Sequence, residues 1–462
     1  MKWGLRISIV AGVLALAGAA SASAAPLQVT WMPGFKAPGT PAKYNRVGVI
    51  KVGSAKAKNV LVLEPGTSAA GAYFVPLAKW IASAAKGWQV WSVVRRETLL
   101  QDESVLNLAK QGKATPTKVF NYYLGYLTNA SVKQHFKGIS DSSVEYAKAW
   151  GMNVVVQDLH RVIAAAHKLG GKVVLGGHSL GGAVVTAYAT WNFGGQPGAK
   201  GLAGLIFDDG GSFPAESAAD AQAALTALND PKATPWLAFG GIAAPFAGLF
   251  NATGALGVLQ DPNSPSLGQQ FPLLPSYLKP PVKVTNEGQY GFALNAATSP
   301  ASLLAAQAHL GKGLSSKTIN GYHTWDGSGA LTPITRFAQM FAGAGILNID
   351  GTEWYFPQRL TDDTRAIGNG IANPAQKVLN VNSTMGRRLP HKLLMYAFGT
   401  ILGKQAVLDD AKALAKQSGI SMRNLTLVNR DTTYSHNDPN GAYPKNAFFS
   451  ALIPFLSKAA AS

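Results

Sequence analysis

Short apolar runs alternate with segments of helical spacing near both ends of the chain. Apolar runs of this length, bounded by turn residues, are typical of strands buried on both faces of a sheet. Apolar residues three and four positions apart predict intervening helices at 75–85, 144–169, 409–417 and 447–456. Seven strands are predicted: Val47–Val52, Val60–Glu64, Gln89–Val94, Lys172–Gly176, Gly204–Asp208, Lys392–Phe398 and Leu425–Asn429. This order predicts an α/β protein with a mostly parallel central sheet and helices on both faces.

The alternation stops between residues 212 and 390. This stretch is rich in Ala, Gly, Pro and aromatic residues, and only pieces such as 217–228 and 302–310 have helical spacing. Strand-and-helix order resumes at residue 391. We therefore predict one sheet domain in two parts, 25–211 and 391–462, interrupted by a large, mainly helical cap at 212–390, before the penultimate strand.

The first 24 residues have the pattern of a secretory signal peptide. Lys2 and Arg6 precede a short apolar stretch, and small residues lead to an Ala-x-Ala site that ends at Ala24. No later stretch is uniformly apolar over the roughly 18 residues that a span requires, so no transmembrane segment is predicted in the mature chain. The chain has no Cys. Export without disulfides favours a secreted, periplasmic or envelope protein of bacterial type.

Composition and charge narrow the class of protein further. A hydrophobic fraction of 47% excludes global disorder, and the formal net charge is +18. No basic motif with interleaved aromatic residues is present, so nucleic acid is not an expected partner. The N-terminal basic segment is consistent with attraction to an anionic envelope surface, although a solvated basic face is the simpler interpretation. Between residues 26 and 63 it has no acidic residue and six basic ones: Lys36, Lys43, Arg46, Lys51, Lys56 and Lys58.

The sharpest chemical signal is a Gly-x-Ser-x-Gly motif at residues 177–181, with Ser179 at its centre. An apolar strand precedes it and a run of small residues of helical type follows. A serine on such a strand-to-helix turn has a strained backbone, and glycines two positions away on each side relieve the crowding. The N-terminus of the next helix supplies N–H groups and a positive dipole for an oxyanion. Ser179 is the predicted nucleophile.

With this motif the chain resembles the α/β-hydrolase superfamily, in particular secreted lipase-like and esterase-like serine hydrolases with a large cap. The resemblance covers roughly residues 59–211 and 391–462. It implies a catalytic triad in the chain order Ser, acid, His, so that both partners follow Ser179. It also implies hydrolysis through an acyl-enzyme, without a metal or cofactor.

His436 is the predicted base, because it is the histidine that follows the last predicted strand, in a polar loop before the final helix. Most members of the superfamily have the acid after the penultimate strand, but no carboxylate follows Phe398 within reach, and Asp409 and Asp410 are expected at a helix start as dipole partners. Some lipases have the acid one strand earlier. There the sequence offers Asp208 and Asp209, and since side chains alternate along a strand, only one can face His436. We choose Asp209, with Asp208 as the alternative.

The oxyanion hole requires two N–H donors. The resemblance implies Leu180, which follows the nucleophile, and a residue of the loop after the strand Val60–Glu64. Thr67 is the matching position in that loop, with Ser68 as the alternative. The loop is rich in glycine but lacks the GxxxxGK[ST] spacing of a phosphate-binding loop.

These features predict an exported serine hydrolase, with a carboxylic-ester hydrolase acting on small lipophilic esters as the first hypothesis. The aromatic residues of the cap favour a lipophilic substrate over a sugar or a phosphate. Two alternatives remain open at this point. An amidase or peptidase would use the same nucleophile, and a non-catalytic binding protein of the cell envelope would keep the fold with a vestigial triad.

Overall fold

The computed structural model describes residues 26–462, so the predicted signal peptide at 1–24 lies outside the described residues. The strands are β1 (Val29–Pro33), β2 (Arg46–Val52), β3 (Asn59–Glu64), β4 (Trp88–Val94), β5 (Val173–His178), β6 (Asn192–Phe193), β7 (Gln196–Pro197), β8 (Gly204–Asp208), β9 (Gly313–Ile319), β10 (Tyr322–Asp326), β11 (Leu394–Gly399) and β12 (Leu425–Asn429). The α-helices are α1 (Val75–Ala84), α2 (Ser104–Lys110), α3 (Pro116–Tyr123), α4 (Met152–His167), α5 (Leu180–Thr190), α6 (Ala218–Leu228), α7 (Phe246–Gln260), α8 (Leu267–Gln270), α9 (Asn286–Leu294), α10 (Ile334–Ala342), α11 (Gln358–Thr364), α12 (Pro374–Leu379), α13 (Lys404–Gln417), α14 (Asp438–Gly441) and α15 (Ala447–Ala461).

Eight strands form the central sheet, in the order β1-β2-β4-β3-β5-β8-β11-β12. Strands β1 and β2 pair antiparallel with each other, and β2 pairs antiparallel with β4. From β4 to β12 every pair is parallel. Parallel strands need crossover connections, and the helices between them cover both faces of the sheet. The expected fold class is confirmed, and the order is that of the α/β-hydrolase fold.

Two hydrophobic cores flank the sheet. Helices α1 and α15 pack on one face, and α4, α5 and α13 on the other. The segment between β8 and β11 is mainly helical, with the β9–β10 hairpin as its exception. It contributes α7 and α10 to the first core and α11 and α12 to the second. The inserted segment therefore shares the hydrophobic cores of the sheet domain.

All seven predicted strands are present, with ends within two residues of the expected ones. Three helix predictions were wrong in whole or in part. Residues 301–306 form a 3₁₀ turn, after which Ala308 pairs with Asn295 in an isolated bridge. Helix α13 begins at Lys404, so Asp409 and Asp410 lie in its second turn rather than at its N-terminus.

The predicted helix 144–169 is broken at Gly151, and the cause lies in the inserted segment. Asp363 accepts a hydrogen bond of 2.8 Å from the backbone N–H of Met152, the first residue of α4. A Cβ at Gly151 would lie 2.1 Å from Oδ2 of that carboxylate, so only glycine fits there. A carboxylate beside the first N–H groups stabilises the start of a helix.

The basic residues of the N-terminal segment lie at the surface. The six basic residues between positions 26 and 63 are all exposed. Among the residues that the structure describes, no helix combines the length and the apolar character needed to cross a bilayer. The attraction of the basic segment to an anionic surface stays a prediction.

Candidate active site

Ser179 occupies a sharp turn between β5 and α5, with φ +58° and ψ −126°. This conformation is strained for a residue with a side chain. The turn is tight because backbone passes directly beside it: a Cβ at Gly177 would lie 2.2 Å from the carbonyl oxygen of Gly181, and one at Gly181 would lie 2.1 Å from that of Glu64. Ser179 is partly exposed and lines a cavity. The local geometry is the one that the Gly-x-Ser-x-Gly spacing predicts.

His436 and Asp209 form a buried pair beside this turn. The Nδ1 atom of His436 lies 2.5 Å from Oδ2 of Asp209, and both side chains are almost completely buried. Burial alone would raise the pKa of Asp209. The hydrogen bond and charge of His436, together with hydrogen bonds donated by Thr400, instead hold that pKa below its usual value. An ionised carboxylate only accepts, so in the neutral form of the imidazole the proton lies on Nδ1 and Nε2 keeps its lone pair.

The loop after β11 has no carboxylate near the end of the strand, and it contacts Asp209. Its backbone and side chain donate to Asp209 instead: Thr400 N–H lies 2.6 Å from Oδ1 of Asp209, Gly403 N–H lies 3.1 Å from the same atom, and the Thr400 hydroxyl donates to Oδ2. Asp209 itself has φ +47°, which turns it out of the strand direction of β8. The loop after β11 thus orients an acid that comes from the neighbouring strand, β8.

Asp208, the alternative acid, points to a different partner. Its Oδ2 accepts from Nδ2 of Asn440 at 2.8 Å, and its Oδ1 has no hydrogen-bond partner among the described residues. Burial raises the pKa of Asp208 well above its usual value. The structure therefore brings Asp209, and not Asp208, together with His436.

His178, the residue before the nucleophile, makes a specific contact with the loop of His436. Its Nε2 lies 2.9 Å from the carbonyl oxygen of His436. Burial, together with the nearby charge of His436, lowers the pKa of His178 to about 3, so the ring is neutral and Nε2 donates. The ring also stacks on Tyr73 and lines the cavity. His178 thus holds the backbone of His436, a contact that no sequence spacing indicates.

Ser179 and His436 line the same cavity but are not in direct hydrogen-bond contact. Among residues 26–462, the hydrogen bonds of the His436 ring and carbonyl go to Asp209 and His178. Catalytic hydrogen bonds are often long without substrate and shorten in the reacting complex. The arrangement can therefore pass a proton from the Ser179 hydroxyl to Nε2 of His436 once the reacting complex brings the two groups together.

The three predicted oxyanion donors have backbone N–H groups without a protein acceptor within the described range. They belong to Leu180 at the start of α5 and to Thr67 and Ser68 in the loop after β3. Thr67, Ser68 and Ser179 all line the cavity. The carbonyl oxygen of Ser68 accepts a hydrogen bond of 2.9 Å from the N–H of Glu353. Unpaired N–H groups beside a nucleophile can stabilise an oxyanion. Both Thr67 and Ser68 therefore remain candidate donors for the oxyanion hole.

The cavity is apolar and lies between the sheet edge and the inserted segment. Its volume is about 160 Å³. Phe120 of helix α3 and Leu124, the residue after this helix, also line the cavity, and no sequence pattern connects them with the site. The other large aliphatic and phenylalanine residues of its wall are Phe239, Ile242, Phe250, Leu267, Phe271, Leu274, Leu278, Leu294, Leu303 and Phe341. Such a wall suits an acyl or alkyl chain.

A second His–Asp pair ties the inserted segment to the loop of His436. Nδ1 of His309 lies 2.6 Å from Oδ2 of Asp438, which also accepts from the Ser435 N–H at 2.7 Å. Thr332, another residue of the inserted segment, donates its hydroxyl to Oδ1 of Asp438 at 2.7 Å. Asp438 is completely buried. These contacts fix the loop two residues beyond His436.

The His309–Asp438 pair predicts a pH-dependent contribution to stability. The hydrogen bond to Asp438, more than its charge, raises the pKa of His309 above 6.5 in spite of partial burial. The contribution is therefore complete below the unfolded value and is lost as pH rises through the folded value. We expect the melting temperature of His309→Asn to fall further below that of the unmodified protein at about pH 5.5 than at about pH 9. An equal gap at both values would contradict the assignment.

The strand order and the Ser179 turn together define an α/β-hydrolase-fold protein. No family model and no curated protein matches the chain. Among solved structures, it is similar to an esterase from Thermogutta terrifontis, with 12% identity, a TM-score of 0.36 and coverage of 94% of this chain and 99% of that one. It is also similar to a monoglyceride lipase from Saccharomyces cerevisiae, with 10% identity, a TM-score of 0.37 and coverage of 95% and 98%. A thioesterase domain from the curacin biosynthetic pathway has 13% identity, a TM-score of 0.41 and coverage of 93% and 99%.

Proposed function

We propose that the protein is an exported serine hydrolase that cleaves lipophilic carboxylic esters through an acyl-enzyme, without a metal or cofactor. One observation carries the proposal. A strained, partly exposed serine lines an apolar cavity together with an imidazole whose tautomer is fixed by a buried carboxylate. Nucleophile, base and orienting acid are the three groups that acyl transfer requires. The predicted export and the basic segment at residues 26–63 support an envelope or extracellular setting.

In the proposed reaction, Ser179 Oγ attacks the ester carbonyl carbon while Nε2 of His436 takes its proton. The developing oxyanion accepts hydrogen bonds from the N–H groups of Leu180 and Thr67, with Ser68 as the alternative donor. The imidazolium, stabilised by Asp209, then donates its proton to the leaving alkoxide. A water molecule, activated by the same imidazole, hydrolyses the acyl-enzyme and restores the Ser179 hydroxyl.

A panel of p-nitrophenyl esters of increasing acyl length, set beside aminoacyl p-nitroanilides, tests the proposal. Each methylene moved from water to an apolar wall contributes about 0.8 kcal/mol, so kcat/KM should rise roughly tenfold for every two methylenes until the cavity is full. Esters should be cleaved faster than anilides. Faster cleavage of anilides would favour an amidase or peptidase, and no turnover by folded protein would favour a binding protein.

One variant tests whether the cavity holds the acyl chain. Gly268 lines the cavity, and a Cβ there would lie 3.7 Å from side-chain atoms of Gln289 and Leu274, which is ordinary contact. Gly268→Leu would therefore enter the cavity without disturbing the backbone. It should lower kcat/KM for an octanoate ester more than for the acetate ester, which serves as the internal control. An equal loss for both esters would place the acyl chain elsewhere.

A further inference from the structure

Arg95 lies directly after β4, and its side chain is only 3% exposed. Its guanidinium donates from Nη1 to the carbonyl oxygen of Gly66 at 3.3 Å and from Nη2 to the same oxygen at 3.4 Å. Nη2 also donates to the carbonyl oxygen of Pro65. One buried side chain thus holds two consecutive carbonyl groups of the loop after β3, the loop that offers Thr67 and Ser68 to the cavity.

The contact with Gly66 fixes the direction of the Thr67 N–H. The peptide unit between Gly66 and Thr67 is planar and trans, so its C=O and N–H point in opposite directions. With the carbonyl held by Arg95 on one side, the N–H of Thr67 must face away from the guanidinium. Thr67 lines the cavity together with Ser179, and its N–H has no other acceptor within the described residues.

The inserted segment holds the same loop from its other end. Glu353 accepts from Nη1 of Arg95 at 2.9 Å through Oε2, and its backbone N–H donates to the carbonyl oxygen of Ser68 at 2.9 Å. The N–H of Ala70 donates to the carbonyl oxygen of Gly351 at 3.0 Å. The loop is therefore fixed between Arg95 and Glu353, and Ser68 has φ +54° within it.

The charges around Arg95 keep its guanidinium ionised. Burial alone would lower its pKa, but Glu353 and Glu64 raise it above its usual value. Nε of Arg95 donates to Oε1 of Glu64 at 2.8 Å. The charge of Glu97 also acts on Arg95, and burial raises the pKa of Glu97 to about 7. Five hydrogen bonds in a fixed plane are a pattern that a guanidinium can make and an ammonium group cannot.

We propose that Arg95, held by Glu353, is a positioning residue that sets the oxyanion donor Thr67 for catalysis. The inference rests on the proposed function, because it assumes that an oxyanion forms at Ser179. Arg95 does not line the cavity with Ser179, and it acts on the reaction through the Gly66–Thr67 peptide unit. Its loss should weaken stabilisation of the transition state more than binding of the ester itself.

Arg95→Lys and Arg96→Lys form a matched pair. Arg96 is equally buried, at 2% exposed, but its hydrogen bonds go to Asp158, Asn45 and Phe35. Loss of one oxyanion donor lowers kcat by about 100-fold or more. We expect this loss in Arg95→Lys with KM almost unchanged and the same pH profile, and a kcat within about twofold of the unmodified value in Arg96→Lys. Affinity for an alkyl boronic acid, whose adduct with serine is tetrahedral, should fall in Arg95→Lys in parallel with kcat.

Three results separate the possible failures. Equal kcat values in the two lysine variants, or a higher KM with unchanged kcat in Arg95→Lys, would overturn the role of Arg95. If Arg95→Lys does not fold, Glu353→Gln decides, because it keeps the N–H bond to Ser68 and replaces only the carboxyl group that accepts from Arg95. We expect kcat about tenfold lower in that variant, and an unchanged kcat would contradict the inference. Absence of ester turnover in the unmodified protein would instead refute the proposed function.

Discussion

Ser179→Ala is expected to lower kcat for a p-nitrophenyl ester by about a million-fold, as loss of the nucleophile does in serine proteases. The hydroxyl is the atom that forms the acyl-enzyme, and alanine leaves no substitute at the turn. Its methyl group keeps the Cβ that the strained backbone already accommodates. The melting temperature should therefore stay close to that of the unmodified protein while hydrolysis falls to the background rate.

Another serine of the same cavity provides the control. Ser266 lines the cavity, but its hydroxyl accepts from the Gln269 N–H at the start of α8. Ser266→Ala should keep kcat within about tenfold, because it removes only a helix cap. The double variant Ser179→Ala, His436→Ala should be no slower than Ser179→Ala alone, since the two residues act as a unit. Substantial turnover in folded Ser179→Ala would exclude it as the nucleophile.

Asp209→Asn is expected to lower kcat by about a thousandfold to ten-thousandfold. The amide would offer an N–H to Nδ1 of His436 and shift the ring to the tautomer that carries its proton on Nε2. That tautomer cannot take the proton of Ser179. The Thr400 and Gly403 N–H groups can still donate to the amide oxygen, so the loop after β11 should keep its place. Kinetic measurement beside a thermal melt separates the chemical effect from unfolding.

Asp208→Asn is the matched control for that variant. Asp208 is buried, burial raises its pKa, and Asn440 donates to it. His436 bonds to Asp209 and not to Asp208, so an amide of the same shape at 208 should keep kcat within about tenfold of the unmodified value. If Asp208→Asn were the inactive variant and Asp209→Asn retained its activity, the roles of the two carboxylates would have to be exchanged.

The sheet and the nucleophile turn were predictable because their signals are local. Apolar runs give the strands, and the glycines at 177 and 181 leave the space that the turn of Ser179 requires. The choice between Asp208 and Asp209 rested on alternation along a strand, which allows one of them to face His436 but does not say which. The structure adds the deciding feature, the positive φ of Asp209, which brings its carboxylate to the Thr400 loop.

The rest of the site depends on contacts between distant parts of the chain. Arg95 and Glu353 are separated by 258 positions, and His178 and His436 also by 258. Nothing in the spacing of either pair indicates the contact. The break before α4 has the same kind of cause, because its cap, Asp363, comes from the inserted segment. Buried charges near strand ends, such as Glu64 and Arg95, are the one local sign that such a network exists.

The account depends most on Ser179 being the covalent nucleophile. Incubation of the folded protein with an alkyl fluorophosphonate, followed by peptide mapping with mass spectrometry, tests this claim most directly. We predict one adduct, on the peptide that contains Ser179, and none in Ser179→Ala under the same conditions. A folded, unmodified protein that forms no adduct, or one whose adduct lies on another residue, would contradict the account.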